Sequence, residues 1–392
     1  MTVQVLSLGC RLNLSESEHL RSILAAENDL VVVNSCAVTA EAVRQTRQTI
    51  RRLRKDRPDA RLLVTGCAAE IEREMLAAMP EVDGLVPNSA KLDARAWNVP
   101  APESREHLQG SHTRAFVQVQ NGCDHACTFC VIPQGRGPSQ SRTTGEVLAS
   151  VARHLDGGAN EVVLTGVDLT SWGGDLPRQP RLGSLVSAIL SAFPDLPRLR
   201  LSSMDGVEID EELLDLLTGE ARLMPHLHLS LQSGDDMVLK RMKRRHSRSD
   251  IVELVGELRE KRPSIAIGAD FIAGFPTETD AMHASNLSII AELAIVHGHV
   301  FPYSIRPGTP AARMPQVRGA TIKARAAELR AAVAEQRASW LATLVGTQLK
   351  VLAERDGTGH AENFARVQLP PHIAAGSILT ITPERVIEGM LA

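Results

Sequence analysis

Short apolar runs alternate with longer amphipathic stretches through most of the chain. Before residue 100, apolar runs at 3–8, 30–33 and 61–65 are each followed by a segment with helical periodicity. Strands that alternate with helices predict a parallel, doubly wound sheet. We therefore expect residues 1–100 to form an N-terminal α/β domain of this kind.

The same alternation resumes after a polar, proline-bearing stretch between 99 and 112, which predicts a linker. Helical segments there include 144–155, 210–219, 248–261 and 281–294. The strand-like runs between them lie at 115–120, 161–165, 198–202, 226–230, 265–271 and 299–301. Six strands with crossover helices predict an incomplete (β/α)6 barrel over 114–335, whose chemistry collects at the carboxyl ends of its strands.

The pattern changes after a long helical stretch rich in alanine, arginine and glutamate at 319–343. Short alternating segments at 349–354, 365–369 and 378–381 are separated by glycine-containing turns. This pattern predicts a small β-barrel over 340–392. The fold class expected for the whole chain is α/β, with that barrel at the C-terminus.

Three cysteines, Cys123, Cys127 and Cys130, follow the first strand of the expected barrel with a CxxxCxxC spacing. Their thiolates could hold three irons of a [4Fe–4S] cluster and leave the fourth iron open to an external ligand. A structural zinc site would need a fourth protein ligand, for which His125 inside the loop is the candidate. A disulfide is disfavoured because three thiols cannot all pair.

The other three cysteines, Cys10, Cys36 and Cys67, each follow one of the first three predicted strands. The carboxyl ends of parallel strands gather at one edge of a sheet, so we expect these cysteines to converge. A buried free cysteine often acts as a small hydrophobic residue, which is the alternative for each of them. Three in matching positions favour a second [4Fe–4S] cluster instead.

Small and polar residues end several of the expected barrel strands, among them Gly166, Ser203 and Gln232. We expect these three to line the cofactor and substrate cavity, although each could be an ordinary turn residue. A GxGxxG phosphate-binding sequence is absent, which disfavours nicotinamide chemistry.

Composition indicates where the protein is located and which kinds of partner it can bind. Hydrophobic residues make up 43% and charged residues 23%, and the formal net charge is −3. Any surface that attracts RNA must therefore be local. Neither a signal sequence near the start nor an apolar run long enough to cross a bilayer is visible, so we expect a cytoplasmic protein without membrane contact.

Two basic segments are candidates for such a surface. Arg44, Arg47, Arg51 and Arg54 share one face of a predicted helix, and a second basic run occupies 240–248. Each could contact the backbone of an RNA. The first could equally be a solvated helix face, and the second a helix C-terminus that carries cations.

The stretch 122–130 resembles the signature of radical S-adenosylmethionine (SAM) enzymes. The order of the three expected domains resembles the methylthiotransferase family, and 359–364 resembles part of the RNA-binding TRAM domain. Residues 8–13, 133–137 and 166–170 are similar to the branch that modifies threonylcarbamoyladenosine in tRNA. Gln134 and Phe364 depart from the residues more usual in that branch.

This resemblance implies a complete reaction. Cys123, Cys127 and Cys130 would ligate the catalytic cluster that reductively cleaves SAM to a 5′-deoxyadenosyl radical, and Cys10, Cys36 and Cys67 would ligate an auxiliary cluster that carries the sulfur. The product would be the 2-methylthio derivative of threonylcarbamoyladenosine next to the anticodon.

The implied partners are the tRNA anticodon stem-loop, SAM, and an electron donor such as a flavodoxin or ferredoxin. The alternatives are an enzyme for isopentenyladenosine in tRNA, a ribosomal-protein methylthiotransferase, and a non-catalytic iron–sulfur protein that binds RNA.

Overall fold

The computed structural model describes residues 3–100, 113–370 and 372–392, so most of the predicted linker lies outside the described residues. The first part of the chain forms a four-stranded parallel sheet in the order β1-β2-β3-β4. Its strands are β1 Gln4–Ser7, β2 Leu30–Ser35, β3 Arg61–Gly66 and β4 Gly84–Leu85. Its helices are α1 Arg11–Ile23, α2 Ala40–Asp56, α3 Cys67–Ile71 and α4 Arg73–Ala77. The predicted parallel sheet is confirmed.

Helices cover both faces of this sheet. Leu20 of α1 packs with Val32 on one face, whereas Ile50 of α2 packs with Val33 and Val64 on the other. Neighbouring residues of one strand point to opposite faces, so a strand buried on both sides is apolar throughout. This explains why 30–33 is a continuous apolar run.

The central part of the chain contains two parallel three-stranded sheets, in the orders β5-β8-β9 and β10-β11-β12. A bridge between Met204 and Leu229 joins them, so the six predicted strands form one open barrel. These strands are β5 Ala115–Gln118, β8 Glu161–Thr165, β9 Arg198–Leu201, β10 His226–Gln232, β11 Ala266–Ala273 and β12 His297–Pro302. The short strands β6 Gln120–Asn121 and β7 Gln140–Ser141 pair beside the barrel. The helices are α5 Ile132–Arg136, α6 Thr144–Asp156, α7 Leu182–Ala192, α8 Glu211–Gly219, α9 Asp236–Met242, α10 Arg248–Lys261 and α11 Asp280–Glu292.

The two faces of each barrel strand differ in chemistry. Along β10, Leu227 and Leu229 pack into the apolar core beneath the outer helices. The alternate residues, His226 and His228, line an internal cavity instead. The barrel therefore has an apolar outer layer and a polar lumen.

Helix α12 Gly319–Leu344 runs from the barrel to the C-terminal part. Its Leu329 and Val333 pack into the barrel core, and Arg325 pairs with Glu278 at 2.9 Å. In the ranges that the structure describes, no helix combines the length and apolar character needed to cross a membrane.

The C-terminal segment forms a six-stranded sheet in the order β16-β13-β14-β15-β18-β17. Its strands are β13 Leu349–Ala353, β14 Thr358–Ala361, β15 Arg366–Gln368, β16 Ile378–Ile381, β17 Val386–Ile387 and β18 Met390–Leu391. The pairing is antiparallel except between β15 and β18. Because no pairing joins β16 to β17 in the described part of the chain, the expected closed β-barrel is not confirmed.

Candidate functional site

One cavity of about 810 Å³ brings together residues from all three parts of the chain. All six cysteines line it, as do the three predicted strand-end residues Gly166, Ser203 and Gln232. The six thiols are free, so no disulfide joins them. Residues that the sequence separates by more than a hundred positions therefore meet at one site.

Hydrogen-bond donors surround the sulfur atoms of the CxxxCxxC loop. The backbone N–H of His125 donates to Cys123 Sγ at 3.4 Å, and that of Ile132 donates to Cys130 Sγ at 3.4 Å. Arg244 Nη1 lies 3.7 Å from Cys127 Sγ. N–H groups directed at sulfur stabilise thiolates, which are the ligands of iron–sulfur clusters.

Burial makes the thiols of Cys123 and Cys130 depend on a cation for their ionisation. It raises the pKa of Cys123 to about 12 and that of Cys130 to about 11. Neutral thiols are therefore favoured at pH 7 unless a bound metal stabilises the thiolates. The donors and the burial together fit a metal cluster at this loop.

The other three cysteines occupy the edge of the N-terminal sheet, as predicted. Cys10 precedes α1, Cys36 follows β2 directly, and Cys67 is the first residue of α3. Burial raises the pKa of Cys36 to about 11 and also raises the pKa of Cys67. The three thiols are close enough to perturb one another electrostatically, which fits a second shared metal centre.

A buried ionic network connects the two sets of cysteines. Glu16 on α1 receives Lys91 Nζ at 2.5 Å and Arg136 Nη1 at 2.9 Å. Arg136 ends α5, six residues after Cys130, and its Nη2 also donates to Asn13 Oδ1 at 2.5 Å. Because Asn13 lies three residues after Cys10, this network fixes the two halves of the site relative to each other.

Sequence reasoning did not identify this network. The feature of the sequence that could have indicated the network is the run of polar residues in α1 that the structure buries. They are Asn13, Ser15, Glu16, Ser17 and Glu18. Lys91 and Glu16 keep only 2% and 1% of their side-chain surface exposed. Burial alone would raise the pKa of Glu16, but Lys91 and Arg136 outweigh it and lower that pKa.

Carboxylates hold the side chains around the mouth of the barrel. His125 Nε2 lies 2.8 Å from Asp168 Oδ2, and this hydrogen bond raises the pKa of His125. Asp205 pairs with Arg244 at 2.9 Å. His125, the candidate zinc ligand, is therefore engaged by a carboxylate.

The basic run at 240–248 is largely occupied by contacts within the protein. Arg244 and Arg245 both pair with Asp205, and Arg248 donates to the carbonyl of Gly234 at 2.9 Å. Lys240 and Arg241 belong to the last turn of α9, as the helix-terminus interpretation predicted.

Three arginines of α2, Arg44, Arg51 and Arg54, also have partners within the chain. Arg44 pairs with Glu41 at 2.6 Å, and Arg54 pairs with Asp83 at 2.5 Å. Surface pairs of this kind contribute little to stability and are typical of a solvated face. Contact of either basic segment with RNA stays a prediction.

The lumen below the cysteines carries histidines that the sequence analysis did not single out. Asp270 Oδ1 lies 3.1 Å from His228 Nε2 and 3.0 Å from His299 Nδ1. Burial alone would raise the pKa of Asp270, but these two hydrogen bonds lower it to about 2. The signal in the sequence was histidine at every second position, in 226–228 and again in 297–299.

Phe364 of the C-terminal sheet closes the lower end of the lumen. Its ring centroid lies 4.9 Å from that of His226, and the guanidinium carbon of Arg200 lies 4.8 Å from the same centroid. Arg11 lies above the same ring at 5.6 Å. The cavity thus extends from the cysteines to an aromatic floor.

Two protein families match this chain. The description "Radical SAM superfamily" matches residues 117–286, which contain the CxxxCxxC loop. The description "Uncharacterized protein family UPF0004" matches residues 2–87, which contain the other three cysteines. The predicted radical SAM barrel is therefore confirmed by sequence as well as by topology.

Known relatives cover nearly the whole chain. Threonylcarbamoyladenosine tRNA methylthiotransferase MtaB of Rickettsia prowazekii is 42% identical over 99% of this chain and 96% of its own length. The tRNA-2-methylthio-N(6)-dimethylallyladenosine synthase of Paracoccus denitrificans is 34% identical over 89% of this chain and 85% of its own length.

A solved structure shares the fold. The radical SAM methyltransferase TsrM of Kitasatospora setae, solved with cobalamin and a [4Fe–4S] cluster, superposes with a TM-score of 0.51. It is 16% identical and covers 76% of this chain and 68% of its own. The chain therefore belongs to the radical SAM methylthiotransferase family, in its MtaB-type branch, as the two family matches, the relatives and the two cysteine sets in one cavity show.

Proposed function

We propose that this enzyme converts N6-threonylcarbamoyladenosine next to the anticodon of tRNA to its 2-methylthio derivative. The convergence of two separate cysteine triads on one cavity is the observation that carries the proposal. Two chemically different centres in one cavity suit a reaction that must both activate a carbon and deliver sulfur to it. The relative from Rickettsia prowazekii, 42% identical, supports the choice of nucleoside.

Each triad has its own role in this proposal. Cys123, Cys127 and Cys130 hold the cluster at which SAM binds, and Cys10, Cys36 and Cys67 hold the auxiliary cluster. Bound together, the clusters and SAM supply electron transfer, sulfur and the methyl group. Gly166, Ser203 and Gln232, which line the same cavity, are the proposed contacts for SAM.

The protein itself provides placement and exclusion of water. Arg136 fixes the two cysteine triads relative to each other through its hydrogen bonds to Glu16 and Asn13. The backbone N–H groups of His125 and Ile132 hold the sulfurs of Cys123 and Cys130 in position. The floor at Phe364 closes the cavity on the side away from the barrel mouth.

The proposed organisation assigns 1–100 to the auxiliary cluster, 114–335 to the radical SAM chemistry and 340–392 to RNA binding as a TRAM-like domain. The proposed partners are the anticodon stem-loop and an electron donor such as a flavodoxin or ferredoxin. Such a reaction belongs in the cytoplasm, where tRNA is modified.

Mass spectrometry of tRNA nucleosides from cells with and without this gene tests the proposal. We expect loss of 2-methylthio-threonylcarbamoyladenosine and accumulation of its unmodified precursor. Loss of the 2-methylthio isopentenyl nucleoside instead would assign the enzyme to the other tRNA substrate. Unaltered tRNA would contradict the proposal and direct attention to ribosomal protein.

Two cysteine variants separate the proposed roles of the triads. After anaerobic reconstitution and addition of dithionite and SAM, Cys127→Ala should form no 5′-deoxyadenosine. Cys36→Ala should still form it but make no methylthiolated RNA. Full product from Cys36→Ala would contradict the auxiliary role, and wild-type protein without 5′-deoxyadenosine would favour a non-catalytic iron–sulfur protein.

A further inference from the structure

Arg11 is a cationic side chain of the cavity that has no hydrogen-bonded partner among the described residues. Arg11 directly follows Cys10, lines the cavity and lies over the Phe364 ring. In the portion of the chain that the structure describes, no carboxylate or carbonyl accepts a hydrogen bond from its guanidinium. Burial lowers the pKa of Arg11 to about 10, because the attraction of Glu161 and Asp270 does not offset its desolvation. A partly buried cation without a direct partner is therefore costly.

The two other guanidiniums on the same ring have their own carboxylates. Arg114 and Arg200 lie 5.2 and 4.8 Å from the Phe364 centroid. Arg114 pairs with Glu354 at 2.9 Å, and Arg200 pairs with the fully buried Glu161 at 2.9 Å. The floor of the lumen therefore carries an excess of positive charge at Arg11.

Asp270, a carboxylate of the lumen whose charge acts on Arg11, is engaged by other side chains. Asp270 accepts hydrogen bonds from both His228 and His299. Both hydrogen bonds go to Asp270 Oδ1, and among the described residues no hydrogen bond joins Arg11 to either oxygen of this carboxylate. A ligand is the simplest source of the missing anion.

A second unpaired group lies beside Arg11. His226 is 3% exposed and lines the cavity, yet neither ring nitrogen has a hydrogen-bond partner among the described residues. Its ring lies against the same Phe364 ring, at 4.9 Å between centroids. Buried polar groups are almost always paired, so an orphaned imidazole that faces a cavity indicates a missing polar ligand.

We propose that Arg11 and His226 form a carboxylate subsite that receives the threonine carboxylate of the substrate nucleoside. This inference rests on the proposed function, since threonylcarbamoyladenosine carries that carboxylate. Arg11 would pair with its oxygens and His226 would donate one further hydrogen bond. A nucleoside with an apolar dimethylallyl group would leave the side chains of Arg11 and His226 unpaired. The subsite would therefore lower the affinity for that nucleoside relative to threonylcarbamoyladenosine.

Binding of anticodon stem-loop RNA to the reconstituted full-length protein tests this subsite directly. We would compare three RNAs by anaerobic fluorescence anisotropy without SAM, carrying threonylcarbamoyladenosine, its neutral methyl ester, or unmodified adenosine. For the wild type we expect the methyl ester to bind about 10-fold or more weakly than the acid, as for loss of a charge-assisted hydrogen bond. Arg11→Met should bind the acid and the ester equally.

Further variants distinguish a lost contact from a disturbed fold. Arg11→Lys keeps the charge and should retain part of the preference for the acid. His226→Phe keeps a ring of similar size and should reduce that preference by about 5-fold, as for one neutral hydrogen bond. Arg153→Met on the outer helix α6 is the matched control and should behave as wild type. Iron content of every variant shows whether the neighbouring Cys10 site is intact.

The outcomes separate the subsite from the proposed function. If the wild type prefers the acid and Arg11→Met keeps that preference with full iron content, the subsite is wrong and the function stands. If the wild type does not distinguish threonylcarbamoyladenosine from unmodified adenosine, the proposed substrate itself is wrong. If Arg11→Met loses iron, the Arg11→Lys and His226→Phe variants test the subsite in its place. A preference for the acid over the methyl ester as strong as that of the wild type in both variants would overturn the subsite.

Discussion

Glu16 shows how much one buried side chain can organise in this protein. It is a single carboxylate shared by two cations, Lys91 from the N-terminal part and Arg136 from the CxxxCxxC side. All three side chains are at most 2% exposed. Removing one partner of such a group leaves an uncompensated charge in the interior, which costs more than the intact pair contributes.

Glu16→Gln should therefore destabilise the protein strongly. It keeps the shape of the side chain but leaves two buried cations without an anion, and we expect a loss of about 3–5 kcal/mol in the free energy of unfolding. Lys91→Met is the control, because Glu16 then keeps its two hydrogen bonds with Arg136 and the loss should be smaller. Anaerobic urea denaturation of both variants measures this difference, and equal losses would show that Arg136 does not compensate Glu16.

At the scale of single elements, the strand ends and most helix bounds were predictable, and the predicted helix 248–261 matches α10 Arg248–Lys261. Cys36 follows a run of apolar residues, so its place at the sheet edge could be predicted from alternation alone. The start of α1 at Arg11 is an exception, because the turn at Gly9 and the anchoring of Asn13 to the Leu8 and Ser35 carbonyls set its first turn. Such contacts join distant segments, and they cannot be predicted from local periodicity.

Gly9→Ala tests the tightness of that turn. Gly9 has a φ of +91°, and an added Cβ would lie 2.5 Å from Cys36 Cβ and 2.7 Å from its Sγ. The backbone must therefore move, which displaces Cys10 and Cys36 from each other. If these residues hold the auxiliary cluster, the variant should contain about four fewer irons per chain while still cleaving SAM.

A second glycine provides the control for this experiment. Gly145 lies in α6, and a Cβ there meets nothing within 4 Å. Gly145→Ala should keep full iron content and gain about 0.5–1 kcal/mol in the free energy of unfolding, since alanine favours a helix. Iron and sulfide analysis gives the readout, and a full complement in Gly9→Ala would mean that the turn can relax without loss of the cluster.

At the scale of the whole molecule, alternation predicted the six barrel strands but not what the barrel encloses. A run such as His226-Leu227-His228-Leu229 indicates a strand with two different faces, without showing which face is buried or by what. The C-terminal sheet lies against the barrel and supplies carbonyl acceptors to two of its buried arginines. Arg198 reaches the Lys350 carbonyl at 2.6 Å, and Arg200 reaches the Ala361 carbonyl at 3.4 Å. Among the described C-terminal strands the expected closure is not observed. Short alternating runs predict strands but do not predict whether two edge strands pair.

Phe364→Ala should show that the C-terminal sheet is part of the active cavity as well as a candidate RNA-binding unit. The ring lies within 4.8–5.6 Å of three guanidiniums and stacks on His360 at 4.5 Å. Its loss removes apolar contact and the ring face on which the three guanidiniums lie. We expect about 3 kcal/mol less stability, near the lower limit for a phenylalanine truncation because the residue is only partly buried.

The matched control is Phe193→Ala, which truncates a partly buried phenylalanine packed on the outer core of the barrel. Both variants should lose stability in anaerobic denaturation, but only Phe364→Ala should also bind the stem-loop with threonylcarbamoyladenosine more weakly, since only its ring supports Arg11 and His226. Equal affinities for the two variants, measured well below their unfolding transitions, would restrict Phe364 to a structural role. A loss confined to Phe364→Ala would instead show that the C-terminal sheet forms one wall of the nucleoside site, so that folding of that sheet and substrate recognition are coupled.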